Sequence, residues 1–217
     1  MQADLDLSRI ETRVTQAQSN VAGVCGAGVV VGIIDSGIDF EHPCFRRPDG
    51  SSRILFLWDQ AAPMIKGGSV SYGRQYTQSE LNRALAAHNP STVVPHKDIK
   101  GHGTHVAGIA AGNGIGKEDT HIGIAPEADL IVVSYANEGV TLGRSTRALA
   151  AITYIVERAH GRPVAINISQ GMNPGGHCGE TILETGIDDL LRRPGVIIVN
   201  SSLQGTRLAG RFMSVDR

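Results

Sequence analysis

Four short apolar runs constrain what this chain can fold into: Gly28–Asp35 (GVVVGIID), Ala128–Ala136 (ADLIVVSYA), Pro163–Ser169 (PVAINIS) and Gly195–Ser202 (GVIIVNSS). In each, Val and Ile fill odd and even positions alike. A strand with one wet face alternates apolar and polar residues, whereas a strand covered on both faces is apolar throughout. The runs therefore predict strands of a parallel sheet held between helices. Helical patterns of crossover length separate the last three. Ser145–His160 opens at a Ser cap, repeats Leu149, Ile152, Val156 and Ala159, and stops at Gly161 with Pro163 beyond. Glu180–Arg193 repeats Leu183, Ile187, Leu190 and Leu191 before Pro194-Gly195. This alternation predicts a doubly wound α/β fold, with helices on both faces of a parallel sheet.

With 217 residues, 41% of them hydrophobic and 19% charged, the chain can bury one sizeable core. We read 22–202 as a single domain, 1–21 as a lead-in and 203–217 as a tail without strand or helix logic. Residues 40–100 read as a long surface excursion containing a short strand at Arg53–Gln60 and a short helix at Ser79–His88. The net charge of −1, from 20 Lys+Arg against 21 Asp+Glu with no basic cluster, argues against a nucleic-acid partner. No apolar stretch is long enough for a membrane span, and the acidic start does not read as a secretory signal. Cys25, Cys44 and Cys178 cannot all pair within one chain, and their spacing suits neither zinc nor a disulfide framework. No oligomeric state or cellular address is encoded.

Two segments carry the chemistry: Val30–Pro43 (VVGIIDSGIDFEHP) and Gly101–Gly112 (GHGTHVAGIAAG). In an open parallel sheet, reactive groups gather where strands end. Asp35 stands at such an end, turned by Ser36-Gly37, and a partly desolvated carboxylate needs a cationic or hydrogen-bonding partner. His102, between Gly101 and Gly103, is the candidate partner. Together they would form the orienting half of a nucleophilic triad. His105 lies three residues on along the same helix, near the face of His102 but one turn deeper, and is expected to turn toward the helix interior. The His-x-x-His pair has no nearby carboxylate or Cys to complete a zinc set.

These two segments resemble the Asp and His signature blocks of the subtilase superfamily of serine proteases. The likeness includes the aliphatic run, Asp-Ser-Gly-Ile-Asp before His42-Pro43, and the whole His-Gly-Thr-His-Val-Ala-Gly block. Gly123–Asp129 resembles the loop leading into the family's next strand. Ala165–Gly171 resembles the strand whose edge lines the substrate cleft. The resemblance covers roughly residues 22 to 202. It implies a subtilisin-like three-layer fold, peptide-bond hydrolysis by an Asp/His/Ser triad, and an extended polypeptide as substrate. Asp35 would orient the imidazole and stabilise its charged form, and His102 would act as general base and then general acid. Ser169, Gln170 and Gly171 would pair with the substrate backbone.

The chain also departs from the pattern. Many family members bind calcium through an aspartate just after the His-Pro; here that position is Cys44, so no cofactor is expected. The family's Ala-Gly-Asn oxyanion segment is replaced by Asn200–Gly205, with Asn200 too early and Gln204 nearest the expected place. No Gly-Thr-Ser-Met-Ala block is present, and Ser214 lacks its surroundings. The chain by itself is therefore expected to be inactive: a family endopeptidase lacking its nucleophile, or alternatively a pseudoprotease that binds extended peptides, or a frameshifted gene fragment. A shifted frame accounts for the abruptness of the change. Ser202–Thr206 can be encoded TCT CTG CAG GGA ACG, which read two bases later gives Ser-Ala-Gly-Asn.

Overall fold

A computed structural model of the protein describes residues 5–20, 24–65, 67–115, 122–135, 145–169 and 179–201. The first apolar run forms β1 (Val30–Asp35), and all six of its residues are buried. It joins β2 (Ile54–Asp59), β3 (Arg74–Thr77), β4 (Asp129–Ser134), β5 (Val164–Ile168) and β6 (Val196–Asn200) in one sheet of order β3-β2-β4-β1-β5-β6. Every neighbouring pair is parallel except β2 with β3. Asp35 pairs in register with Ser134, so β1 and β4 end side by side.

Helices cover both faces of the central strands, which is why β1 is apolar up to Asp35. Val31 and Ile33 of β1 belong to a cluster with Leu81 and Ala84 of α3 (Gln78–Ala86) and Ala107 and Ala111 of α4 (His102–Ala111). Val30 and Ile34 join the opposite cluster, with Ile152 and Ile155 of α5 (Ser145–Arg158) and Leu190 of α6 (Ile182–Leu191). Full burial of a Val, Ile or Leu side chain contributes about 1.5–3 kcal/mol. The fold is the expected three-layer α/β arrangement with a mostly parallel six-stranded sheet.

Three features differ from the sequence reading. The lead-in contains two short helices, α1 (Leu5–Glu11) and α2 (Val14–Asn20), tied to the body where Arg9 donates to the Ile122 carbonyl at 2.9 Å and Gln18 to that of Ile124 at 2.8 Å. The segment after Asp59 supplies β3, the one antiparallel strand among the described residues, held where Trp58 Nε1 donates to the Tyr72 carbonyl and Tyr154 to Gln75. The segment 40–100 is not a surface excursion. It places β2 inside the sheet and buries Phe40, Phe45, Leu57, Trp58, Tyr76 and Leu81. Its polar composition obscured this, because a few large side chains carry the burial. Ala136, Cys178 and the tail, with Gln204 and Ser214, lie outside the described residues.

Candidate active site

The C-terminal end of β1, beside that of β4, faces the first turn of α4. Asp35 closes β1 with none of its surface exposed, and a buried carboxylate is tolerated only with close partners. Its Oδ1 accepts from the Ser36 amide at 2.6 Å and lies 2.7 Å from His102 Nδ1. With Nδ1 facing a carboxylate, the neutral imidazole carries its proton there and leaves a lone pair on Nε2. The His102 side chain is 52% exposed, and nothing among the described residues bonds Nε2. The ring is therefore oriented from the buried side and available from the open side.

Glycine permits this approach. A Cβ at Gly103 would lie 2.2 Å from the Gly37 carbonyl oxygen and 3.0 Å from Asp35 Cβ, so the first turn of α4 rests directly on the turn after β1. Gly37 itself has a φ of 144°, which disfavours any side chain there. The buried stripe of α4 is Gly103, Ala107 and Ala111, at four-residue spacing. His105 falls off that stripe and is exposed, which corrects the expectation that it turns inward.

Further residues frame the turn. Ser36 Oγ accepts from the Gly103 amide at 3.0 Å, and Ser134 Oγ donates to the Ser36 carbonyl at 3.0 Å. His96, with 4% exposure, accepts from the Ile38 amide through Nε2 at 3.3 Å and lies 2.8 Å from Asp59 Oδ2 through Nδ1. Burial pushes the Asp59 carboxyl up, but the His96 hydrogen bond and charge and the Ala61 and Ala62 amides outweigh it and hold it below the usual carboxylate value. Neither Asp59 nor His96 stands out in the sequence as a functional residue. A polar residue ending an apolar strand was the available signal in both Asp35 and Asp59.

Ser169 follows β5, half-buried, and its Oγ accepts from Asn167 at 2.7 Å. Gln170 and Gly171 lie outside the described residues. β5 runs between β1 and β6, so Val164–Ile168 has no free edge, and any peptide pairing falls to the residues after it. Asn200 ends β6 in register with Ile168.

The Cys44 thiol lies 2.9 Å from His42 Nδ1, and burial pushes it up to about 11. Its carbonyl is already taken by the Asn113 amide at 3.1 Å and by Arg53 at 3.3 Å. Among the described residues no cluster of three or more His, Cys, Asp or Glu could hold a metal ion. No helix among them is long and apolar enough to cross a membrane.

A family model described as "Subtilase family" matches residues 26–204. The subtilisin-like protease PopC of Myxococcus xanthus is 32% identical over 158 residues, covering 70% of this chain and 26% of PopC. The subtilisin-like protease SBT1.9 of Arabidopsis thaliana is 36% identical over 143 residues, covering 58% of this chain and 19% of that protein. The solved structure of the Clostridium perfringens CspB protease superposes with a TM-score of 0.75 at 29% identity, covering 86% of this chain and 38% of CspB. The chain thus spans about a quarter of PopC and 38% of CspB. It belongs to the subtilase family of serine peptidases, peptidase family S8.

Proposed function

We propose that this chain provides the Asp–His half of a serine endopeptidase centre that hydrolyses peptide bonds in extended polypeptides. The observation that supports this most directly is the 2.7 Å contact between buried Asp35 Oδ1 and His102 Nδ1. In this reading His102 Nε2 takes the hydroxyl proton of a serine as its oxygen attacks the scissile carbonyl. It then returns that proton to the leaving amine, and a water repeats the sequence on the acyl-enzyme. Asp35 holds the ring by Nδ1 and stabilises the imidazolium. The Gly-Thr-Ser-Met-Ala block is not in this sequence, so in this reading the serine nucleophile comes from outside it. Ser169, Gln170 and Gly171 present backbone groups to the substrate as an added strand.

The test is labelling with a fluorophosphonate. The 217-residue chain should remain unlabelled. A polypeptide extended through the downstream coding sequence, in whichever frame encodes the Gly-Thr-Ser block, should label at that serine. His102→Ala should abolish the labelling. Labelling that survives loss of His102 would overturn the reading.

A further inference from the structure

We infer that Asp98 is the positioning residue of the Asp35–His102 pair: its carboxylate fixes the helix turn carrying His102 to the strand-end turn carrying Asp35. This rests on the functional reading above and extends it to a residue that touches neither the substrate nor the reacting atoms.

The first turn of α4 has a structural need that its own sequence does not meet. The residue before His102 is Gly101, at a φ of 69°, which has no side chain to cap the helix. The exposed amides of that first turn must find acceptors elsewhere. Asp98, three residues before Gly101, supplies one of them. Its Oδ2 accepts from the Thr104 amide at 2.8 Å and from Thr104 Oγ1 at 2.7 Å. Its Oδ1 accepts from the Gly101 amide at 3.1 Å, closing the loop on itself.

The same Oδ1 reaches across to the strand. It accepts from Ser36 Oγ at 2.7 Å, and Ser36 Oγ in turn accepts from the Gly103 amide at 3.0 Å. The Ser36 amide donates to Asp35 Oδ1, the oxygen that meets His102. Thr104 Oγ1 also accepts from the Asp39 amide at 2.8 Å, on the far side of the same turn. Asp98 therefore bonds both partners' elements at once: Thr104 and Gly101 flank His102, and Ser36 adjoins Asp35. An ordinary N-cap would satisfy the helix without making the second connection. A carboxylate is required because all four bonds run toward it. An amide could accept with its oxygen only, and its nitrogen would face donors.

Nuclear magnetic resonance of the 217-residue chain tests this without requiring activity. A hydrogen bond between a carboxylate and imidazole Nδ1 shifts the bridging proton far downfield, and Asp35→Asn identifies the resonance by abolishing it. Asp98→Asn should weaken the bridging bond, moving the resonance upfield or broadening it beyond detection, while far-ultraviolet circular dichroism stays that of the parent. Ser36→Ala keeps the Asp98 bonds to Gly101 and Thr104 and breaks the cross-connection, together with the acceptor of the Gly103 amide. It should move the resonance in the same direction, whereas Thr104→Val, which leaves both the Ser36 bond and the backbone cap, should move it least. A downfield proton unchanged in both Asp98→Asn and Ser36→Ala would overturn the inference. If Asp98→Asn fails to fold, the Ser36→Ala spectrum decides alone. Absence of any such proton from the parent would instead count against the Asp35–His102 reading, so the two failures are distinguishable.

Discussion

His96 and Asp59 form a second Asp–His contact, 2.8 Å from Nδ1 to Oδ2, beside the turn that follows Asp35. The pair resembles the candidate active pair in chemistry but not in exposure. The His96 side chain is 1% exposed and the His102 side chain 52%. His96 uses both ring nitrogens internally, Nε2 on the Ile38 amide and Nδ1 on Asp59, and so has none left for a substrate. Its role is to hold the turn that delivers Asp35.

That contact sets a pH dependence. The Asp59 carboxyl is held below its usual value, so it favours the folded state when ionised. Its contribution is fully present above the ordinary carboxylate pKa of about 4 and is lost as the pH falls through the depressed folded value. Asp98 is shifted in the same direction, because hydrogen bonds from Thr104, Ser36 and Gly101 outweigh the upward effect of burial. Thermal melts should therefore show a steep loss of stability in acid. Asp59→Asn should lower the melting temperature at neutral pH and flatten the acid limb. Parallel curves for the two proteins would count against the assignment.

The Gly103 contact predicts a packing effect. A methyl group at 103 meets the Gly37 backbone rather than a side chain that could rotate aside, so α4 must move away from β1. Gly103→Ala should cost about 1–3 kcal/mol in urea unfolding, the range for overpacking a tight contact. In an extended, active form it should also lower kcat, since the displaced helix carries His102. A variant with unchanged stability would show that the approach is looser than described.

Much of this was legible in the sequence because strands buried on both faces are apolar throughout and because Asp35 and His102 stand within long, distinctive blocks. The partner residues were not legible. Asp98 lies in the unremarkable string Lys97-Asp98-Ile99-Lys100, and its function depends on Ser36, 62 residues away. Arg53 read as the polar start of a strand. β3 escaped because Arg74-Gln75-Tyr76-Thr77 buries only Tyr76, and a short edge strand with one buried residue has no periodicity to detect.

Arg53 supports a stability prediction of its own. It is 4% exposed, yet its guanidinium meets carbonyls rather than a carboxylate: those of Cys44, Ala111 and Ala125, at 3.3, 2.6 and 3.4 Å, and that of Ala128, approached by both Nε and Nη2. These belong to three separate segments, including the C-terminal end of α4, whose negative dipole end suits a cation. Arg53→Met should leave carbonyls unpaired in the interior and cost about 1–3 kcal/mol for each one left so. Arg53→Lys, with a single ammonium, should lose less. Equal chemical stability of the parent and the Met variant would refute the role.

The last prediction concerns β6, the end strand of the sheet among the described residues. Its alternate residues have different surroundings. Val196 and Ile198 pack against the cluster containing α5 and α6, while Ile197 and Val199 are 60% and 56% exposed. Residues two apart on a strand point the same way, so Ile197 and Val199 form one apolar face beside a strand edge that no other described strand pairs. An open edge with an apolar face is a template for another copy of the chain to pair with. The isolated 217-residue chain should therefore self-associate as its concentration rises, as read by light scattering. Ile197→Thr with Val199→Thr keeps the β-branched shape that favours a strand and removes apolar surface. This double variant should remain monomeric to higher concentration at unchanged secondary structure. If parent and variant associate alike, the association does not arise from this face.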